Sequence, residues 1–416
     1  MVKVTFRDQN GGTRPAPGHG LFPLGAAITL ADLDRDPHPR LARLRDAEPV
    51  SWLPALNGWL VTRHDLAVAV MRDSSAFTVD DPRFSTARVV GPSMLSLDGA
   101  VHGRHRAAFT KGFGRGEIRA RLAAFVEAEA GRLVAAMRPA GAGDLRRGLA
   151  GPLAVAVVAE ALGLGDTDPA TLLDWYAAIV GSVSALTGDQ GPAPGASREE
   201  AVARGAAAFR SLSARLSAVL GAPDGSLLAG AAGGGAGARL DPGEVISNAA
   251  VIMFGGIETT EGMIGNAMLH LLRDPAQLAL VRADDSLVPN AVEESLRLEP
   301  AAAVVDRYAT RDVTLAGTGI RAGDLVSVSL AGAGRDPAVF ADPDRFDVRR
   351  HNARLNLAFA HGPHFCLGAH LARLEAQAAV RAALTLPGLH LDPGRPAEPR
   401  GLVFRKPPAV HVRWRP

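Results

Sequence analysis

The only cysteine of this 416-residue chain, Cys366, lies in a loop that is unusual for an inert core residue. A lone cysteine is more often a buried, apolar side chain than a reactive one. Here, however, Gly362 and Pro363 predict a tight turn before the sulfur, and leucine and alanine recur at helical spacing after Gly368. The thiol is therefore predicted to lie at or just before a helix N-terminus, where free amides and the helix dipole lower the pKa of a thiol.

A thiolate in this position could act as a nucleophile or as a metal ligand. A nucleophilic cysteine needs a neighbouring base and an oxyanion site. A zinc site needs further ligands, and the sequence contains no second ligand cluster. A single thiolate in a glycine-rich loop that also contains Phe359 and Phe365 is better suited to be an axial ligand of a flat iron cofactor.

A second set of unusual residues interrupts a long apolar helix. The run Asp241-Pro242-Gly243-Glu244 is a strong helix start, and apolar residues keep helical spacing to Asp274-Pro275, roughly 50 Å further on. Four residues that lower the stability of a core helix lie in its middle, namely Gly255, Gly256, Glu258 and Thr259. The glycines could allow a neighbouring helix to pack closely. Alternatively, the Thr259 hydroxyl could bond the Gly255 carbonyl and loosen the helix.

Two pairs of charged residues have spacings that place both members on one helix face. His102 and Arg106 lie one turn apart, which in isolation could indicate only a solvated basic helix start. Glu294 and Arg297 are three residues apart, and that spacing most commonly means a surface ion pair that contributes about 0 to 1 kcal/mol. Neither pair identifies a function by its spacing alone.

The residues around Cys366 resemble the haem-binding loop of the cytochrome P-450 family. The matching pattern is Phe359-x-x-Gly362-x-His364-x-Cys366-x-Gly368, and it is highly specific. The resemblance covers about residues 30–416. It implies a mainly α fold with a small β region, in which haem b lies between a long central helix and the helix that follows the cysteine. It also implies that Cys366 is the proximal iron ligand.

The resemblance implies roles for residues of the other motifs as well. Glu258 and Thr259 match the acid and alcohol pair with which the family passes protons to dioxygen. Glu294 and Arg297 match a structural Glu-x-x-Arg motif, which ties its helix to the segment before the haem loop. The implied catalytic residues are Gly255, Gly256, Glu258 and Thr259, and the implied haem-binding residues are His102, Arg106, Arg307 and His364, at the propionates, with Phe359 and Gly368.

The reaction that the resemblance implies is the hydroxylation or epoxidation of a hydrophobic small molecule, such as a polyketide, terpenoid or peptide of secondary metabolism. Two alternatives stay open: a non-hydroxylating oxidation such as ring coupling, desaturation or nitration, and a haem-binding sensor without turnover. The chain has no flavin or nicotinamide fingerprint, so a separate ferredoxin with its reductase is expected to supply electrons. Arg104 and Arg373 are expected among the cations that receive this acidic partner.

Composition and charge argue against several other classes of protein, namely nucleic-acid binders, secreted proteins and membrane-spanning proteins. Lys+Arg 45 against Asp+Glu 43 gives a net charge of +2, without the strong positive field of a nucleic-acid binder. No charged and apolar leader opens the sequence, and no apolar run reaches about 18 residues, so neither secretion nor a membrane span is indicated. We therefore expect a cytoplasmic protein, with a flexible leader at residues 1–20 and a single domain at 21–416.

Local patterns predict the remaining elements. Residues 50–62 are expected to form a β-hairpin, 78–96 a long loop that covers the site, 229–238 a flexible linker, and 402–412 a terminal hairpin. Long helices are predicted at 116–138, 150–164 and 169–187. The candidate substrate pocket is composed of residues from 78–96, 175–210, 248–259, 300–306 and 402–406.

Overall fold

The structure, a computed structural model, describes residues 6–7, 13–14, 21–187, 197–221, 227–228 and 239–416. The predicted leader lies mostly outside these ranges, and within it Phe6–Arg7 pairs with Thr13–Arg14 in a short antiparallel ladder. The predicted linker at 229–238 lies outside them entirely. Among the residues described, no helix is both long enough and apolar enough to cross a membrane.

The described residues are mainly helical, as predicted. In chain order the helices are α1 (Pro23–Ala26), α2 (Leu30–Arg35), α3 (His38–Ala47), α4 (His64–Arg72), α5 (Ser85–Val90), α6 (Gly99–Thr110), α7 (Arg115–Met137), α8 (Gly151–Leu162), α9 (Pro169–Thr187), α10 (Arg198–Leu220), α11 (Pro242–Arg273), α12 (Pro275–Ala283), α13 (Val288–Leu298), α14 (Leu330–Ala333) and α15 (Ala369–Leu384). The three Ala- and Leu-rich runs of the sequence correspond to α7, α8 and α9.

The strands are short and form small sheets. They are β1 (Phe6–Arg7), β2 (Thr13–Arg14), β3 (Val50–Leu53), β4 (Gly58–Val61), β5 (Phe77–Thr78), β6 (Ala142–Asp144), β7 (Val304–Ala309), β8 (Val313–Leu315), β9 (Thr318–Ile320), β10 (Leu325–Ser329), β11 (His390–Leu391) and β12 (His411–Arg413). The largest sheet has the order β3-β4-β10-β7-β5, in which β4 and β10 are parallel and the other pairs are antiparallel. The predicted hairpin at 50–62 is therefore confirmed, with Trp52 opposite Trp59.

The long helix α11 begins where the sequence predicts. The Asp241 carboxylate accepts a hydrogen bond from the Glu244 amide, and the Glu244 carboxylate accepts one from the Asp241 amide. This capping box satisfies amides that the first turn of a helix leaves unpaired, and Pro242 at the first position lacks such an amide. The helix runs for 32 residues through the main core and packs against α8, α13 and α15.

Three expectations about local structure need correction. Residues 78–96 are not a loop throughout, because α5 forms within them and buries Val90. The predicted terminal hairpin is wrong: Phe404 bridges Ala302, whereas β12 pairs with β6 and β11. The prolines at 407–408 have no amide to continue a ladder between the two runs. Finally, α11 stays helical across its glycine pair, where the sequence predicts a loosened turn.

Helix α13 contains a buried charge cluster in place of the surface ion pair that its spacing most often indicates. Glu294 and Arg297 are fully buried and joined by hydrogen bonds of 2.7 and 2.8 Å. Arg350 donates a further bond of 2.9 Å to Glu294. Arg297 also donates to the backbone carbonyls of Gly334, Pro343 and Arg345. The cluster therefore connects α13 to the segment that leads into the Cys366 loop.

Replacing Arg297 with methionine should destabilise the fold by about 3 to 5 kcal/mol, because it removes a partner from a buried carboxylate. Urea unfolding measures this loss. Arg132→Met is a matched control, since Arg132 pairs with Glu129 at the same spacing but is exposed, and its loss should cost at most about 1 kcal/mol. Equal losses in the two variants would contradict a structural role for the buried pair.

Candidate active site

The loop that carries Cys366 is shaped by its own backbone. The Cys366 amide donates a hydrogen bond of 2.8 Å to the Phe359 carbonyl, and the Phe365 amide donates one of 3.0 Å to the Gly362 carbonyl. Gly362 has a φ of +74°, and a Cβ there would lie 2.5 Å from the Met71 carbonyl oxygen, so the turn requires glycine. Helix α15 begins shortly after the sulfur, as predicted.

The environment of the Cys366 thiol differs from the expectation in one respect. Burial raises the pKa of the thiol, and the Gly368 amide, Arg106 and Arg373 oppose this rise without reversing it. The predicted lowering of the pKa is therefore wrong for the polypeptide, because desolvation exceeds the effect of the helix terminus. The side chain still presents exposed surface, so a metal cation could reach the sulfur and stabilise the thiolate.

Two imidazoles and a carboxylate lie together beside this loop. The His102 and His364 rings have centroids 4.3 Å apart, and His364 Nε2 is 2.9 Å from Asp98 Oδ1. Asp98 also accepts hydrogen bonds of 2.6 Å from the Thr78 hydroxyl and 2.9 Å from the Val79 amide. Burial by itself would raise the pKa of Asp98, but these hydrogen bonds outweigh it and hold the pKa at about 2. Asp98 is therefore a fixed negative charge.

His102 has a ring nitrogen without a partner. Its side chain is buried, and no hydrogen bond to its Nε2 exists in the part of the chain that the structure describes. Burial, with the nearby His364 and Arg106, lowers the pKa of His102 to about 4, so the ring is neutral at pH 7. Buried polar atoms are nearly always hydrogen-bonded. The unpaired nitrogen therefore points to a ligand that is not part of the polypeptide.

Two arginines complete this cluster. Arg106 donates a hydrogen bond of 2.6 Å to the Phe365 carbonyl, and Arg307 donates one of 2.7 Å to the Asp306 carbonyl. Burial lowers the pKa of both guanidinium groups. Within the described ranges neither arginine forms an ion pair with a carboxylate, although a buried cation such as Arg307 needs an anionic partner. The cluster thus fits a cofactor that has anionic side chains, as a haem with its propionates does.

The middle of α11 contains the hydrogen bond that the sequence predicts. The Thr259 hydroxyl donates a bond of 2.5 Å to the Gly255 carbonyl. A Cβ added at Gly255 would meet no atom within 4 Å, so open space borders this turn. A Cβ at Gly256 would lie 2.6 Å from Val158 Cγ2 of α8, so this glycine permits close helix packing. Close helix packing therefore applies to Gly256, while the bond from Thr259 to Gly255 forms without interrupting the helix.

Glu258 is held by residues from two other parts of the chain. It accepts a hydrogen bond from the Tyr176 hydroxyl of α9 and pairs with the Lys406 ammonium at 2.6 Å. Lys406 also binds Glu261, one turn along α11, which pairs with Arg146 at 3.0 Å. Burial and the neighbouring Glu258 carboxylate raise the pKa of Tyr176, so its hydroxyl stays protonated. Tyr176, which lies in the pocket segment 175–210 predicted from the sequence, thus contacts the acid of the predicted proton pair.

Four of the segments that the sequence assigns to a substrate pocket meet at α11. The Phe254 ring lies 5.8 Å from the Phe404 ring and 6.4 Å from the Tyr176 ring, measured between centroids. The Asn248 side chain accepts a hydrogen bond of 2.8 Å from the Met94 amide, which places the predicted covering segment on the first half of α11. Three aromatic side chains from three of these segments therefore lie together near Glu258.

The two cations expected to receive an acidic electron donor are already paired. Arg104 donates a hydrogen bond of 2.7 Å to Glu244, and Arg373 donates one of 2.5 Å to Glu293. Neither guanidinium is therefore a free cation, because a carboxylate of the same chain neutralises it. These carboxylates lie 140 and 80 positions away along the chain, so local spacing could not reveal them.

Three residues of this geometry were not identified from the sequence, namely Asp98, Glu293 and Lys406. Asp98 carries one local signal, since an acidic residue four positions before His102 occupies a predicted helix start. Glu293 is adjacent to Glu294, and only Glu294 matches the Glu-x-x-Arg motif. Lys406 has no local signal, because its partners Glu258 and Glu261 are distant in sequence.

Several known proteins are similar to this chain in sequence and in fold. Residues 226–408 match the family model described as Cytochrome P450. Cytochrome P450 monooxygenase PikC of Streptomyces venezuelae is 36% identical over an alignment of 430 residues, gaps included. The alignment covers 98% of this chain and 97% of the relative. Nocardicin C N-oxygenase of Nocardia uniformis subsp. tsuyamanensis is 34% identical over 411 residues, or 94% and 98% of the two chains. The crystal structure of CalO2 superposes with a TM-score of 0.83 at 30% identity, covering 92% and 97%.

The fold and the relatives together define a haem-thiolate oxidoreductase. The chain belongs to the cytochrome P450 family, and like its relatives it is a P450 monooxygenase. The predicted family, fold class and enzyme class are thereby confirmed. The sensor without turnover loses its support, since the relatives above are named as enzymes. The roles of the individual site residues stay predictions.

Replacing Asp98 with asparagine should destabilise the protein in a pH-dependent way. The pKa of Asp98 is about 2 in the folded protein against an ordinary 3.8, so its carboxylate contributes stability above about pH 4 that is lost as the pH falls towards 2. The free energy of unfolding should be lower by about 2 kcal/mol at pH 7, and the difference should shrink below pH 4.

Urea unfolding of both proteins between pH 7 and pH 3 measures this difference. Asp65→Asn is the control, because Asp65 is exposed and pairs with the exposed Arg63, and its loss should cost at most about 1 kcal/mol. A difference that does not change with pH would contradict the assignment of Asp98 as a stabilising buried carboxylate.

Proposed function

We propose that this monooxygenase hydroxylates or epoxidises a hydrophobic small molecule of secondary metabolism. The aromatic side chains of Tyr176, Phe254 and Phe404 support an apolar substrate. One relative is named for the N-oxygenation of nocardicin C, which supports a natural product as substrate. A non-hydroxylating oxidation is the alternative, and products formed with isotope-labelled dioxygen distinguish the two.

We assign the cofactor as haem b, with Cys366 as its axial ligand. The observation that carries this assignment is the unpaired His102 Nε2 beside Arg106 and Arg307, because such donors suit two propionates. His364 joins this set, with its ring oriented by Asp98. When bound, the haem supplies the activation of dioxygen, which thiolate donation favours.

Glu258 and Thr259 hold and move the protons that the reaction consumes. The Thr259 hydroxyl already bonds the Gly255 carbonyl next to the open space in α11. The Glu258 carboxylate is bound by Tyr176 and Lys406, so it must release one of these partners to carry a proton towards Thr259. Proton supply therefore depends on contacts with α9 and with the segment before β12.

Electrons come from a ferredoxin with its reductase in this proposal. The absence of a flavin or nicotinamide fingerprint in the sequence supports a separate donor. Arg104 and Arg373 stay predicted contacts of this donor, which would compete with Glu244 and Glu293 for them. The cytoplasmic location expected from the sequence likewise stays a prediction.

Cys366→Ser should abolish the ferrous carbon-monoxide absorption band at the thiolate-specific wavelength, because an alcohol does not replace the thiolate as an electron donor. The measurement is a reduced difference spectrum of the purified variant after haem reconstitution. Far-ultraviolet circular dichroism checks that the variant is folded. A thiolate-type band that survives in the folded variant would sink the ligand assignment.

Thr259→Ala should keep the thiolate-type carbon-monoxide band. Electrons should still be consumed, but with less product formed per electron pair. General acid–base groups contribute about 10²- to 10⁴-fold, so product per electron pair should fall at least about 10-fold while peroxide accumulates. The assay uses a surrogate ferredoxin and reductase, with a substrate found by screening polyketides, terpenoids and peptides for a shift of the haem spectrum on binding.

Ser217→Ala is the matched control for this variant. The Ser217 hydroxyl makes the same kind of bond, 2.8 Å to the carbonyl four residues back, on the exposed face of α10. Its removal should leave product yield unchanged. Full coupling in Thr259→Ala would refute the proton-relay role.

A further inference from the structure

Glu293 lies next to the buried Glu294 but faces a different set of partners. Its side chain is 3% exposed and binds Arg373 of α15 through two hydrogen bonds, of 2.5 Å to Nε and 3.2 Å to Nη2. On the other side it accepts a bond of 3.1 Å from the Asn356 side chain. Arg373 follows Cys366 in the sequence and Asn356 precedes it. One carboxylate therefore contacts both segments that flank the cysteine.

The Arg373 guanidinium lies between Glu293 and the cysteine loop. Its central carbon is 4.3 Å from the centre of the Phe359 ring, which places the cation over the ring face. The Phe359 carbonyl accepts the hydrogen bond from the Cys366 amide. The Phe359 residue therefore connects the Arg373 guanidinium to the backbone that holds the sulfur.

The Asn356 side chain continues the same connection on the other flank. Its amide group donates to Glu293 and also to the Ala353 carbonyl at 2.8 Å, while its oxygen accepts from the Ala358 amide at 3.1 Å. These bonds fix the backbone immediately before Phe359. Glu293 thus sets both the position of the Phe359 backbone and the charge above the Phe359 ring.

We propose that Glu293 is a positioning residue that tunes the electron density of the Cys366 thiolate by neutralising and orienting Arg373. The proposal rests on the haem-thiolate assignment and adds a residue that acts on the cofactor only through another side chain. A partly buried guanidinium paired with a buried carboxylate has little net field at the sulfur. Removing either charge leaves the other one uncompensated in a medium of low dielectric constant.

Removing the Glu293 charge and removing the Arg373 charge should shift the reduction potential of the haem in opposite directions. In Glu293→Gln the unpaired Arg373 cation stabilises the extra electron of the reduced haem, so the reduction potential becomes more positive. In Arg373→Gln the unpaired Glu293 anion makes the potential more negative. Because the double variant again has no net charge at this place, its potential should return towards that of the wild type.

The measurement is a spectroelectrochemical titration of the ferric–ferrous couple in the full-length holoenzyme. The carbon–oxygen stretching frequency of the ferrous carbon-monoxide complex is a second readout, and it should rise in Glu293→Gln as the sulfur donates less electron density. Glu129→Gln is the matched control, since it removes the same charge from the exposed Glu129–Arg132 pair and should shift neither readout.

Opposite shifts in the two single variants, with recovery in the double variant, support the proposal. Unchanged potentials in both single variants would overturn it, and so would shifts of the same sign, since a merely structural role predicts loosening in either case. If Glu293→Gln retains too little haem to titrate, the negative shift of Arg373→Gln decides the question. Failure of the haem-thiolate assignment is distinguishable, because the wild type would then lack the thiolate-type carbon-monoxide band.

Discussion

The loop around Cys366 has little regular structure, and charges buried in the neighbouring helix α13 hold the two segments that flank it. Glu294 binds Arg297 and Arg350 at the segment that leads into the loop. Glu293 binds Arg373 on the far side of the cysteine. Unpaired buried charges cost several kcal/mol, so these partners have to stay in place, and the loop stays with them. The geometry of the thiol is therefore set by electrostatic pairing as much as by packing.

The cluster of His102, Arg106 and Arg307 differs from α13, because its members are not paired with carboxylates in the part of the chain that the structure describes. His102 has an unpaired buried nitrogen, and Arg106 and Arg307 bond only to backbone carbonyls among the residues described. In α13 the buried carboxylates are paired with arginines of the same chain. Arg106 and Arg307 have no such carboxylate within the described ranges and are therefore available to an anionic ligand. This contrast supports a structural role for one charged cluster and a cofactor-binding role for the other, although both contain arginine and lie near the same cysteine.

Sequence predicted those features that depend on neighbours along the chain. The capping box at Asp241, the bond from Thr259 to Gly255 and the turn at Gly362 all join residues within a few positions of each other. The sequence did not predict the features that depend on contacts between residues distant along the chain. The partners of Glu258 and Arg373 come from other elements, and desolvation of the thiol, which raises its pKa, depends on the complete fold.

The difference between Gly255 and Gly256 has a consequence for the variation that the helix can accept. The two residues are adjacent and chemically identical, yet a methyl group at the first would enter open space and one at the second would collide with Val158. Substitutions at position 255 can therefore fill this open space without a second change. A larger residue at position 256 requires a smaller one at 158, so the two positions should co-vary among descendants of this chain and be randomised together in a directed-evolution library.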